Sequence, residues 1–281
     1  MKSMEQVEGP IVVLDSGVGG LPYLQTAREL LPDEEFVYFA DRAGFPYGTK
    51  SSGQVLDVVL DRVDRLIALC SPKAVVIACN TASQAALAGV RSAHPDLAVI
   101  GTVPAVKPAI EHTKTGTIGV MATARTVEDP YLDGLIEHFA GRTRVLREPA
   151  QDLVAFVEWR LLDASEEERR AAVRPHVLRL VEAGADQIVI ACTHFLHVAA
   201  EISSVAGPGV AVVDSREGVA RRLAAVLRER GLLRFPPAAN QLSGGGHAFI
   251  LSGCEPIESR YFGFASRFTL DEPTLLAVGT A

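Results

Sequence analysis

The sequence predicts an α/β protein of two pseudo-symmetric three-layer domains, each built on a largely parallel sheet. Three observations carry this. Short apolar, β-branched runs alternate with stretches of helical period along most of the 281 residues, the pattern of a parallel sheet covered by helices on both faces. The order of strands then repeats once, displaced by 106 to 113 residues, a spacing that suits one domain per copy. Two of the repeated segments also agree in letters: VVIACNTAS (75–83) beside IVIACTHFL (188–196), and AVIGTVPA (98–105) beside AVVDSREG (211–218).

Taken in order, IVVLD (11–15) reads as a buried strand that runs into a Gly-rich turn and a helix starting near Leu21 or Pro22. FVYFA (36–40) is the second strand. The stretch 54–69 places Val55, Val58, Val59, Val63, Leu66 and Ile67 at helical spacing. AVVIA (74–78) and LAVIG (97–101) complete the first set of strands, and TIGVM (117–121) and TRVLR (143–147) begin the second. A helix over 166–183 carries Val173, Val177, Leu180 and Val181 on one face, and QIVIA (187–191) and VAVVD (210–214) follow. Segment 231–246, with paired Pro and a run of Gly, reads as a loop. HAFILSG (247–253) reads as one more strand with a short helix after it, and residues 1–9 as a loose arm.

Composition narrows the function. Net charge is −7 and Lys and Arg form no cluster, which argues against nucleic acid as a partner. No apolar run reaches the roughly 20 residues of a membrane span. The polar, acidic start MKSMEQVEGP does not resemble a secretory signal, so a cytoplasmic location is expected. Four cysteines (70, 79, 192, 254) without a CxxC pair support neither a disulfide framework nor a zinc or redox site.

In open parallel sheets ligands bind beyond the carboxyl ends of the strands, and four polar loops lie there. Asp15-Ser16-Gly17-Val18-Gly19-Gly20 permits close backbone approach, although a dinucleotide fingerprint would need glycine where Pro22 stands. Phe45-Pro46-Tyr47-Gly48-Thr49 is a turn that can close over a ligand. The other two loops begin with Cys79-Asn80-Thr81 and Cys192-Thr193-His194. A lone cysteine is usually packed in a core, and that suffices for Cys70 and Cys254. Cys79 and Cys192 instead occupy equivalent places in the repeat, each before an expected helix N-terminus, a setting that favours a thiolate. Two thiols facing each other across a cleft suit the inversion of a stereocentre: one removes a proton and the other supplies one to the opposite face.

DSGVGG (15–20), YFADRAGFPYGTKS (38–51), VVIACNTAS (75–83), IGTVPAV (100–106) and IACTHF (190–195) together resemble the glutamate racemase family of the aspartate/glutamate racemase superfamily. The resemblance runs in order from about residue 10 to the tail. It implies an active site in the cleft between two domains, 1–102 completed by 215–281 and 103–214. It also implies interconversion of L- and D-glutamate without cofactor or metal, supplying D-glutamate to peptidoglycan, by a protein that commonly forms homodimers. Carried over by motif, Cys79 and Cys192 match the acid/base thiols, the first serving the D-isomer and the second the L-isomer. Asp15 and His194 match groups assisting the adjacent thiols. Asp15, Ser16, Tyr47, Gly48, Asn80, Thr81, Thr193 and His194 match substrate-binding positions, and Asp41 and Glu158 match supporting acids. The chain departs from the family where Phe195-Leu196-His197-Val198 replaces Tyr-Pro-Leu-Leu, and where Cys-Pro is lacking before LVAFVE (153–158). Aspartate racemase or a related Cys-dependent dicarboxylate isomerase is the alternative within the superfamily. A catalytically silent binding protein, for example one contacting gyrase, is the alternative outside it.

Overall fold

The computed structural model describes residues 9–234 and 247–278, so most of the expected arm and most of the 231–246 loop lie outside the described residues. The strands are β1 (Ile11–Asp15), β2 (Phe36–Ala40), β3 (Ala74–Ile77), β4 (Ala98–Gly101), β5 (Thr117–Ala122), β6 (Arg144–Pro149), β7 (Gln187–Ile190), β8 (Ala211–Val213), β9 (Ala248–Ser252) and β10 (Thr274–Leu276). They form two sheets, ordered β10-β9-β2-β1-β3-β4 and β6-β5-β7-β8. Every pairing is parallel. The order β2-β1-β3-β4 in one sheet is matched by β6-β5-β7-β8 in the other, so the repeat in the sequence is a repeat of topology. β9 and β10 extend the first sheet beyond β2; β9 follows the tail strand expected from HAFILSG.

Side-chain alternation in these strands divides the core. Val12, Leu14, Val37, Phe39, Val75 and Ile77 point to one face of the first sheet and pack on the helix Ser52–Cys70. Ile11, Val13, Phe36, Tyr38 and Val76 point to the other and share one continuous apolar cluster with Ile188, Ile190 and Val177 from the second half. Ile118, Val120 and Val189 form a third cluster on the far face of the second sheet. The long helices start on strong signals. Ser51 with Gln54 and Ser165 with Glu168 form reciprocal capping boxes, and Pro22 sits in the first turn of Leu21–Leu30, where a missing N–H costs nothing. No helix among the described residues is long and apolar enough to cross a membrane.

Candidate active site

The carboxyl ends of β1, β2, β3, β5, β6 and β7 converge on one small cavity. Its wall combines Ser16 after β1, Phe45, Pro46, Tyr47 and Gly48 after β2, and Cys79, Asn80 and Thr81 after β3. Thr123 after β5, Gln151 and Val154 after β6, and Cys192, Thr193 and His194 after β7 complete it. Both thiols therefore face the same space, each from the third strand of its half.

The carboxylates stand behind this wall and hold it. Asp15 is fully buried; its Oδ1 accepts the Gly17 N–H at 2.9 Å and its Oδ2 accepts the Thr193 hydroxyl at 2.9 Å, tying the β1 and β7 loops together. Burial pushes the Asp15 carboxyl above its ordinary range, against the charge of His194 and the two donors. The Tyr38 hydroxyl donates to Gly17 O at 2.8 Å and accepts the Gly20 N–H at 3.0 Å, pinning the glycine turn. Asp41, also fully buried, accepts the Tyr47 hydroxyl at 2.6 Å, Arg62 Nε at 2.8 Å and the Ser252 hydroxyl at 2.6 Å. The Tyr47 hydroxyl is thus committed to Asp41, and the residue presents its ring and backbone to the cavity. Removing one partner of a buried ion pair such as Arg62–Asp41 costs about 3–5 kcal/mol.

Around Cys192 the contacts form a chain. Cys192 Sγ lies 4.0 Å from His194 Nδ1, and His194 Nε2 lies 2.8 Å from Glu158 Oε1, which also accepts the Val18 N–H at 2.8 Å. Burial opposes protonation of His194, but its hydrogen bonds to Cys192 and Glu158 and the Glu158 charge outweigh it, holding the imidazole well above its usual pKa. A protonated imidazole is a proton donor poised beside the thiol sulfur.

Cys79 differs. It caps the helix Asn80–Ala93, and the Ser16 hydroxyl lies 4.0 Å from its Sγ. The helix N-terminus was expected to favour a thiolate; instead burial, reinforced by Asp15, pushes this thiol strongly up, beyond what the Ala82 N–H and Ser16 recover. Cys79 therefore favours its protonated form. The other expectation of a helix start also needs correction: Thr193–Val198 after Cys192 is a 3-10 turn, and the α-helix begins at Ala199. All six side chains of that turn are buried, so tertiary packing on every side, not an amphipathic helix, shapes it.

The profile of the Asp/Glu/Hydantoin racemase family matches residues 23–223. The chain belongs to that family. Its relatives include the glutamate racemase of Sphingopyxis alaskensis, 45% identical over 77% of this chain and 81% of that protein. That of a Roseiflexus strain is 39% identical over 85% and 86%. The crystal structure of Escherichia coli glutamate racemase in complex with L-glutamate and the activator UDP-MurNAc-ala superposes with a TM-score of 0.83 at 32% identity, covering 97% of this chain and all of that one.

Against this racemase fold, every residue singled out in the sequence lies on the cavity or directly behind it. Ser16, Tyr47, Gly48, Asn80, Thr81, Thr193 and His194 line it with the two thiols, whereas Asp15, Asp41 and Glu158 position those that do. No motif in the sequence marks Thr123, Gln151 or His197 as functional. The first two follow β5 and β6, the counterparts of β1 and β2, so extending the repeat beyond the cysteines would have pointed to them. His197 gave no such signal. Its Nε2–H donates to Val18 O at 2.9 Å, its ring meets Phe264 and Phe268 edge-on, and burial pushes its pKa down to about 3, so it clamps the glycine turn as a neutral group.

The same close packing makes the turn intolerant of side chains. A Cβ on Gly19 would stand 2.5 Å from both His194 Nδ1 and Thr193 Oγ1, and one on Gly17 would collide with the Glu158 carboxylate. Gly19→Ala is expected to displace the imidazole from Cys192 and lower kcat by roughly 10²-fold, the usual penalty of an ångström-scale misplacement. Steady-state kinetics at unchanged melting temperature checks this; kcat within twofold of wild type would contradict it.

Proposed function

We propose that this chain is a glutamate racemase that interconverts L- and D-glutamate with two cysteine bases and supplies D-glutamate for peptidoglycan biosynthesis. The observation that carries the reading is the pair Cys79 and Cys192, contributed by equivalent strands of two repeated halves to one small cavity. The racemase relatives and their named substrate support the same conclusion. In the L-to-D direction Cys192 as thiolate takes the α-proton, and Cys79, whose burial favours the thiol, gives one to the opposite face. The reverse direction exchanges the two roles. The proton that Cys192 receives passes within reach of His194, itself held by Glu158. Each turnover moves one proton on and one proton off, so charge balances.

Among the described residues no Lys or Arg side chain lines the cavity. The Asn80 amide, the Thr81 hydroxyl and the N-terminal N–H groups of helix Asn80–Ala93 therefore serve the two substrate carboxylates and the charge that develops as the α-proton leaves. Apart from His194 beside Cys192 these donors are neutral, which suits a pair of thiols that must alternate between base and acid, since a fixed cation between them would favour thiolate at both. We further take residues 1–102 with 215–281 as one domain and 103–214 as the other, a division supported by β9 and β10 joining the first sheet. Family resemblance supports a cytoplasmic homodimer. Incubating L-glutamate and L-aspartate separately and following chirality tests the substrate: inversion of glutamate is expected, and inversion of aspartate alone would refute it.

A further inference from the structure

Gln151 is the first residue of the helix Gln151–Trp159, directly beyond the carboxyl end of β6. It lines the cavity that holds both thiols, and its Oε1 is buried without a hydrogen-bond partner. Buried side-chain polar atoms are nearly always satisfied, so an orphan facing a cavity points to a group the cavity is built to receive.

Its place in the cavity says which part of a ligand it meets. A Cβ on Gly48 would lie 2.9 Å from Gln151 Oε1 and 3.3 Å from Thr123 Cβ, so the carboxamide, Thr123 and the Gly48 backbone form one wall. None of the three belongs to the loops that carry Cys79 or Cys192. The reacting carbon must lie between the thiols, which leaves this wall for the far end of the substrate side chain. No Lys or Arg side chain among the described residues lines the cavity and His194 stands beside Cys192, so an anion at this wall depends on neutral donors. A primary carboxamide carries two N–H donors beside its oxygen, and a half-turn of its terminal torsion exchanges them.

Resting on the glutamate racemase reading, we propose that the Gln151 carboxamide donates to the side-chain carboxylate of the substrate and sets the preference for an acidic amino acid. Because this contact is remote from the reacting carbon, it contributes equally to ground and transition states and acts on KM. The test measures kcat and KM of Gln151→Ala, Gln151→Asn and Gln151→Glu, with melting temperatures to establish folding. Gln151→Ala is expected to raise the KM for glutamate about 10-fold with kcat within about threefold, the loss expected for a hydrogen bond to a charged group. Gln151→Glu faces carboxylate with carboxylate and is expected to raise KM about 100-fold, while improving turnover of L-glutamine relative to L-glutamate. Gln151→Asn, which keeps the amide but withdraws it by one methylene, falls between wild type and Gln151→Ala. An unchanged or lowered KM for glutamate in Gln151→Glu would overturn the proposal, as would a loss confined to kcat. If the wild type inverts aspartate instead, the glutamate reading fails separately, and the same KM ratios on aspartate still decide the role of Gln151.

Discussion

Cys79→Ser and Cys192→Ser are each expected to lose about 10³-fold or more in kcat in both directions, with little change in melting temperature. The magnitude follows from what a positioned proton-transfer group contributes, about 10²–10⁴-fold, and from the fact that inversion needs both groups in every turnover. Serine nearly keeps the size of the side chain but replaces a thiol, whose pKa is roughly 8.5 when free, with a far less acidic hydroxyl. The two losses should be similar although the settings differ. Cys79 sits in a buried, proton-retaining pocket beside Asp15, and Cys192 faces His194. Losses of this size from both variants separate a two-base site from one in which a single cysteine acts as nucleophile. Racemisation at the wild-type rate by either variant would refute the assignment.

Glu158→Gln is expected to produce the second-largest effect, about 10–100-fold in kcat at pH 8, together with a characteristic dependence on pH. Glutamine can still accept from His194 and Val18 but carries no charge. His194 is held protonated against its burial by its hydrogen bonds to Cys192 and Glu158 and by the Glu158 charge, so the variant's imidazole loses its proton at lower pH. The alkaline limb of the pH–rate profile should therefore move to lower pH. The sign for stability follows from the same shift. A histidine whose folded pKa lies above its unfolded value of about 6.5 contributes stability that is complete below that pH and is lost as pH rises through the folded value. The melting temperature deficit of Glu158→Gln should thus be largest near pH 6 and shrink toward alkaline pH. A deficit independent of pH, with an unmoved rate profile, would show that Glu158 only fills space.

Much of the architecture was legible because buried parallel strands read as apolar runs. β1 to β5 and β7 to β9 each contain such a run, and the identical strand orders of the two sheets explain why the sequence repeats. β10 escaped notice because Thr274–Leu276 is three residues long and largely exposed, with no alternation to betray it. The thiols were legible through the repeat, since VVIAC and IVIAC place each cysteine two residues beyond its strand. What the sequence concealed were relations across space. Gln151 matters because it lies against Gly48, about a hundred residues away, and His197 because its ring reaches the carbonyl of Val18. The protonation state of Cys79 was misjudged for a related reason. A helix N-terminus is visible in sequence, but the burial and the Asp15 carboxyl that override it are products of tertiary structure.

In the proposed reaction two thiols on opposite faces of one carbon each handle their own proton. Converting L-glutamate in deuterated water with the wild-type protein, and measuring isotope content of both enantiomers during the first few per cent of reaction, tests it most directly. The two-thiol site predicts that newly formed D-glutamate carries deuterium at its α-carbon, delivered by Cys79, while recovered L-glutamate remains protiated. Product that retains the original α-proton, or deuterium entering recovered L-glutamate as fast as product forms, would mean that one group serves both faces and would contradict the account.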